Sequence, residues 1–314
     1  MSDVILIHGA WCHPDIAAPL RFHLEDLGYQ VHSPALPGHD LSNPWPPEKV
    51  AQLSLEDYAE SIRVYLAEQN FDSPPILVGH SMGGLVAQMV AAKSPVSALV
   101  LLNSAGPAGI NHIYPSSVRA TLDILLQPFF WKRSGRPSHR RAHYGLLNRV
   151  PFKSAEKISR SLIPESGRVF FEMVFWFLDP SGTTRIERDI DAPILIVSGG
   201  MDRIVLPRVA KGLHRRYPLA SFLSFPASGH WLFHEHGSER AFSAISDWME
   251  TIPERRSFIE GQKDAHHDPG ITPSSSPDIP AELHPRDDSP LDHPRPLRGN
   301  PDGNTKPGGR PLLP

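Results

Sequence analysis

The chain has 314 residues, 40% of them hydrophobic and 21% charged, enough apolar material for a sizeable buried core. A formal net charge of −3 gives no electrostatic basis for holding nucleic acid, and the run Arg133, Arg136, Arg140 and Arg141 reads as a solvated face. Cys12 is alone, which excludes an intrachain disulfide and a cysteine-rich metal site. The opening apolar run at 4–7 is too short for a signal-peptide core or a membrane span, so a cytoplasmic globular protein is the expectation.

Taken in chain order, short β-branched and leucine-rich runs alternate with helical patterns, which predicts a mostly parallel sheet covered on both faces. The first strand falls at 4–7, and a helix at 16–27 stops at Gly28. A second strand spans 29–33 and a proline-rich loop spans 34–47. Ser54 suits a helix cap, with Glu56 and Asp57 in the first turn of a helix that runs to about residue 70. A third strand at 75–78 leads into a helix at 82–93, and a fourth strand follows at 97–102.

From about 106 to 190 the rhythm breaks. Helical runs at 118–126 and 168–178 occur without a convincing strand, so the segment reads as a helical cap over the sheet. Strands at 193–197 and 221–225 and a helix at 238–249 resume the pattern. The stretch 255–314 is rich in proline and offers little to bury. Such a chain cannot offset the entropy of ordering and is expected to be a disordered tail behind a folded domain of 1–254.

Four short motifs follow predicted strands, at the ends where open α/β sheets gather their ligand sites. Gly79-His80-Ser81-Met82-Gly83-Gly84 fits the Gly-x-Ser-x-Gly elbow between an apolar strand and an apolar-faced helix. A nucleophilic serine on so tight a turn needs glycine at 79 and 83, because a side chain at either would collide with the adjoining strand or helix. The helix from Met82 aims amide N–H groups at the serine oxygen, which favours developing negative charge. In His8-Gly9-Ala10-Trp11 a turn directs the Ala10 amide toward the same place; with Met82 it makes an oxyanion hole, while His8 reads as structural.

Ser228-Gly229-His230-Trp231 follows the last strand and sets His230 to reach Ser81 as a general base. The rival reading is zinc, held by His230, His234, Glu235 and His236, but the His-Glu-x-x-His spacing that would support it is absent. Asp202, in Gly199-Gly200-Met201-Asp202, suits the acid that orients the histidine. Asp189 and Asp191 precede the strand and lie at its wrong end; Asp123 and Asp179 are the remaining rivals.

On these motifs the sequence resembles the α/β-hydrolase superfamily over about residues 3–252. Its His-Gly-Ala-Trp start is similar to the small plant-type esterase and hydroxynitrile lyase branch and its bacterial relatives. The resemblance implies Ser81, Asp202 and His230 as a triad, Ala10 and Met82 as oxyanion donors, and a helical cap between the strands ending near Leu102 and starting near Pro193. Members often begin with a β-hairpin; here the chain starts on the strand itself, which implies about six strands rather than eight. Serine instead of aspartate at position 81 argues against dehalogenase and epoxide-hydrolase chemistry. The proline-rich tail has no counterpart in the family pattern.

The expected function is cleavage of a carboxylic ester or related acyl compound through a covalent acyl-enzyme, without cofactor or metal. The large apolar cap residues Phe129, Phe130, Trp131, Phe170, Phe171, Val174, Phe175, Trp176 and Phe177 are expected chiefly to pack the cap onto the sheet; any that face the site would imply a hydrophobic substrate. Trp11 and Trp231, flanking the oxyanion and base positions, are candidate pocket walls. The same triad also serves carbon–carbon bond hydrolysis, lactone opening, cyanohydrin cleavage or a slow-turnover ligand receptor, because fold does not fix reaction.

Overall fold

A computed structural model of the chain describes residues 2–252. The expected tail at 255–314 lies outside them. The strands are β1 (Asp3–Ile7), β2 (Gln30–His32), β3 (Ile76–His80), β4 (Ala98–Leu102), β5 (Ser134–Gly135), β6 (Glu165–Ser166), β7 (Ile194–Gly199) and β8 (Ser221–Phe225). The α-helices are α1 (Ala18–Asp26), α2 (Pro47–Val50), α3 (Leu55–Glu68), α4 (Met82–Ala91), α5 (Pro115–Leu125), α6 (His139–Gly145), α7 (Phe152–Ser161), α8 (Gly167–Val174), α9 (Pro207–Arg216) and α10 (Ser238–Met249). None of the described helices is long and apolar enough to cross a membrane.

Six strands form one parallel sheet in the order β2-β1-β3-β4-β7-β8. β1, β3, β4 and β7 are buried along their whole length, as central parallel strands covered on both faces must be, and their sequences are apolar almost throughout. β2 and β8 are only partly buried, which suits the two edges. The order reverses between β1 and β3, which opens a crevice at their carboxyl ends. His8 leaves β1 there, and Ser81 leaves β3.

The flanking helices follow from spacing and caps. α3 buries Leu55, Tyr58, Ala59 and Ile62, one stripe at helical period, and starts at a capping box in which Ser54 and Asp57 satisfy each other's amides. Such a cap contributes about 1 kcal/mol. α4 is buried almost all round, and its one large polar residue, Gln88, is satisfied by Gly84, Ser104, Ala105 and Tyr217. α1 is preceded by a 3-10 turn at Pro14–Ala17 and ends before Gly28, whose φ of +81° lies in the left-handed region.

The segment between β4 and β7 is mostly helical, as expected, but it is not without strands. β5 and β6 pair antiparallel, Ser134 with Ser166 and Gly135 with Glu165. Two residues per strand are too few to leave a period-2 signature in sequence. Four helices, α2, α6, α7 and α9, lie beyond the runs picked out in the sequence, and α9 joins β7 to β8. It buries Val209, Ala210, Gly212 and Leu213 on one face, while its last turn carries His214, Arg215 and Arg216, which mask the apolar pattern.

Candidate active site

Ser81 sits between β3 and α4 with φ 56° and ψ −122°, a strained conformation for a residue with a side chain and one that costs about 1–3 kcal/mol. The glycines around it are required by contact. A Cβ at Gly79 would lie 2.4 Å from the Gly83 carbonyl oxygen, and one at Gly83 would lie 2.3 Å from that of Ile7. The helix is therefore pressed directly onto the end of β1, which brings the His8–Trp11 turn beside the serine. A Cβ at Gly9 would stand 3.0 Å from the Ser81 Cβ.

The structure brings Ser81, His230 and Asp202 together. The Ser81 hydroxyl donates to His230 Nε2 at 3.0 Å, and His230 Nδ1–H donates to Asp202 Oδ2 at 2.7 Å. The carboxylate thereby fixes the tautomer that leaves Nε2 free to accept. Asp202 spends its other oxygen on the amides of Ile204, at 2.8 Å, and Val205, at 2.9 Å. All three side chains are buried. The rivals are engaged elsewhere: Asp123 pairs with Arg141, and Asp179 caps the amides of Ser181 and Thr183.

Ala10 lines the cavity in front of Ser81, and Met82 is the first residue of α4. Among the described residues neither amide donates to another group of the chain. His8 is structural: Nδ1–H donates to the Gly9 carbonyl, and Nε2 accepts from the Leu36 amide. Burial, reinforced by the nearby His39, pushes its pKa down to about 3, so it stays neutral.

Three residues that sequence reasoning passed over or read otherwise hold the histidine loop. Asn103, directly after β4 and itself at φ 42°, donates to the carbonyls of Gly229 and His230 and accepts from the Gly199 amide. One side chain thus ties the strand end that leads to Asp202 to the loop that carries His230. His80 donates through Nε2 to the His230 carbonyl at 2.9 Å, and burial, with His230 beside it, holds its pKa down at about 3. Glu235 accepts from the amides of Gly229 and Trp231. The signal for Asn103 was its place one residue past a strand adjoining the elbow strand. For Glu235 the sequence offered only the zinc reading. Among the described residues no cluster of His, Cys, Asp and Glu has metal-holding geometry, and His234 bonds the Ile16 carbonyl.

The two tryptophans part company. Trp11 lines the cavity, held by a hydrogen bond from its Nε1 to the Gly135 carbonyl in the cap. Trp231, expected as a second wall, is fully buried, packs edge-on against the His80 ring at 5.9 Å, and does not line the cavity. Its neighbour His230 faces the serine, so Trp231 turns to the core. The cavity measures about 50 Å³ and is lined by Ile113, Val118, Leu125, Phe170, Met173, Val174, Phe175, Ile204 and Val205, with His112 as the one ionisable group. Burial first of all lowers the His112 pKa to about 4, so its ring is neutral. Of the cap aromatics, Phe170 and Phe175 line the cavity, Phe130 packs in the core, and Phe129 and Phe177 are exposed.

The chain is similar to several known proteins. The pimeloyl-[acyl-carrier protein] methyl ester esterase of Neisseria meningitidis serogroup A is 26% identical over 274 residues, 84% of this chain and 78% of the relative. A pyrethroid hydrolase of Sphingobium wenxiniae is 36% identical over 110 residues, covering 33% of this chain and 36% of its own. Among solved structures, a methylesterase from Arabidopsis superposes with a TM-score of 0.62 at 16% identity, over 80% of this chain and 99% of that one, a likeness of fold. The profile of the alpha/beta hydrolase family matches residues 4–244, which spans the sheet, the elbow at Ser81 and the loop of His230, and the chain belongs to that family.

Proposed function

We propose that the chain is a serine hydrolase that cleaves carboxylic esters or closely related acyl compounds, with Ser81 as nucleophile, His230 as general base and Asp202 as the orienting acid. The observation that carries this reading is the unbroken line of hydrogen bonds from hydroxyl to imidazole to carboxylate. As the Ser81 oxygen bonds to the substrate carbonyl carbon, His230 takes its proton. The Ala10 and Met82 amides hold the oxyanion, and the leaving alcohol departs with the proton from His230. Water then attacks the acyl-enzyme along the same path. The names of the relatives, methyl ester esterase and pyrethroid hydrolase, favour ester cleavage over carbon–carbon or cyanohydrin chemistry.

The apolar lining favours a hydrophobic acyl compound. At about 50 Å³ the cavity is far smaller than the roughly 300 Å³ at which ligand pockets begin, so a large substrate requires the cap to give way. The lone buried thiol of Cys12 fits a cytoplasmic setting. The test is Ser81→Ala against wild type on p-nitrophenyl esters of graded chain length. Turnover is expected to fall about 10³- to 10⁶-fold with an unchanged melting temperature. Retained turnover in the variant would remove Ser81 from its role.

A further inference from the structure

Backbone bonds fix the loop that carries His230 at Ser228 and Trp231, and side chains hold it on either side of the histidine. Its carbonyls at Gly229 and His230 are taken by Asn103, and that of His230 also by His80. Its amides on either side of His230 go to one carboxylate: Gly229 N–H donates to Glu235 Oε2 at 2.7 Å and Trp231 N–H to Glu235 Oε1 at 3.2 Å. Glu235 thus straddles the histidine, one oxygen per flanking amide. It is buried, at 6% exposure, and among the described residues no lysine or arginine forms an ion pair with it.

A buried carboxylate without a cation is costly unless something else answers its charge. Burial raises its pKa above the ordinary carboxylate value, while the two amide donors favour the charged form without neutralising it. The groups facing His230 are Asp202 after β7, His80 and Ser81 at the elbow, and Glu235 in its own loop. Around that loop, Arg149 donates to the Ala227 carbonyl and borders Gly229, and His234 bonds the Ile16 carbonyl. His80 is neutral. The positive charge that answers Glu235 arises on His230 when it takes the serine proton.

We propose that Glu235 is a positioning residue for His230: it presets the imidazole through the two flanking amides and, with Asp202, stabilises the imidazolium formed in the acylation step. This rests on the reading of Ser81, His230 and Asp202 given above. Replacing the carboxylate by an amide removes the charge and turns an N–H group toward one of the donors, so both contributions are lost together.

The experiment follows labelling by an alkyl fluorophosphonate, which needs no knowledge of the substrate. The Ser81 oxygen bonds to phosphorus, the P–F bond breaks, fluoride leaves and the proton passes to His230. Second-order inactivation is measured from pH 4.5 to 9 for wild type, Glu235→Gln and Glu235→Asp. For Glu235→Gln the expected result is inactivation at least about tenfold slower at neutral pH, with the acid limb of the profile displaced to lower pH by about half a unit or more. Glu235→Asp keeps the charge on a shorter arm, so its limb stays in place while its rate falls. A Glu235→Gln limb coincident with that of wild type would overturn the inference, whatever its rate or melting temperature. Should that variant not fold, a wild-type rate in Glu235→Asp would overturn it equally. Wild type that resists labelling would bring down the reading of Ser81, and this inference with it; a labelled wild type with an unmoved limb brings down this inference alone.

Discussion

Around Ser81 one strand end touches the next through backbone, whereas the cap meets the sheet chiefly through side chains. In the sheet half, α4 lies so close to β1 that Gly83 faces the carbonyls of Ile7 and His8, and a Cβ at Gly199 would collide with the Gly229 carbonyl. Inside the cap, Gly167 is pressed on the Phe130 and Arg133 carbonyls and Phe130 leans on Phe170 and Phe175; across the seam to the sheet half, the buried Glu165 carboxylate of β6 reaches His39 and Tyr58 of α3. Backbone contact leaves no atom to remove or rotate. Side-chain and ion-pair contact, by contrast, leaves groups that a single substitution can remove.

The sharpest way to break this comparison is to add one methyl group on each side of it. Gly83→Ala places a Cβ 2.3 Å from the Ile7 carbonyl oxygen, a backbone atom that cannot turn aside, so a loss of roughly 3–5 kcal/mol is expected. Gly135→Ala in β5 meets only the Gln127 side chain, at 3.6 Å, and should change stability by less than about 0.5 kcal/mol. Urea unfolding of the two variants reads both. Equal losses would show that the cap is packed as rigidly as the sheet.

A second effect, next in size, concerns the ion pair between the halves. His39 donates through Nε2 to Glu165 at 3.1 Å and through Nδ1 to the Pro37 carbonyl, so both ring nitrogens carry protons. Burial alone would lower its pKa, but the Glu165 carboxylate and the hydrogen bonds outweigh burial and raise it above 6.5. The sign follows. Below about pH 6.5 the ring is protonated folded and unfolded, and the pair contributes in full; as pH rises through the elevated folded value the contribution is lost. Wild type should therefore lose stability between pH 6 and 9 more steeply than His39→Gln. At pH 6 that variant, which leaves Glu165 buried without its cation, should be about 3 kcal/mol less stable. Parallel slopes in urea titrations at several pH values would exclude a charged pair.

What could be read from sequence divides along the same line. Gly79, Ser81, Gly83, Asp202 and His230 were legible because each motif is local: a strand, a turn and a residue type that the turn demands. Asn103 and Glu165 were not, because their partners on the His230 loop and at His39 lie more than a hundred positions away; Asn103 offers only its place one residue past β4, and Glu165 has no local motif. Trp231 misled for the converse reason. Adjacency to His230 in sequence suggested a shared pocket, but successive side chains on a tight turn face different ways, and this one faces the core.

The smallest effect is expected where the described fold ends. α10 buries Ala241, Phe242, Ile245 and Met249 in the core, and Ile252, 5% exposed, is the last described residue to join it. We propose that the hydrolase domain closes near residue 254, since the composition of 255–314 is dominated by proline and polar residues. Truncation after about residue 258 should then shift the melting temperature by no more than about 1 °C and leave the labelling rate within about twofold, because only contacts with the core enter the stability of the site. A shift of several degrees would mean that some of Ile259, Ile271, Leu283 or Leu291 packs on the domain, and the boundary would move toward the C-terminus accordingly.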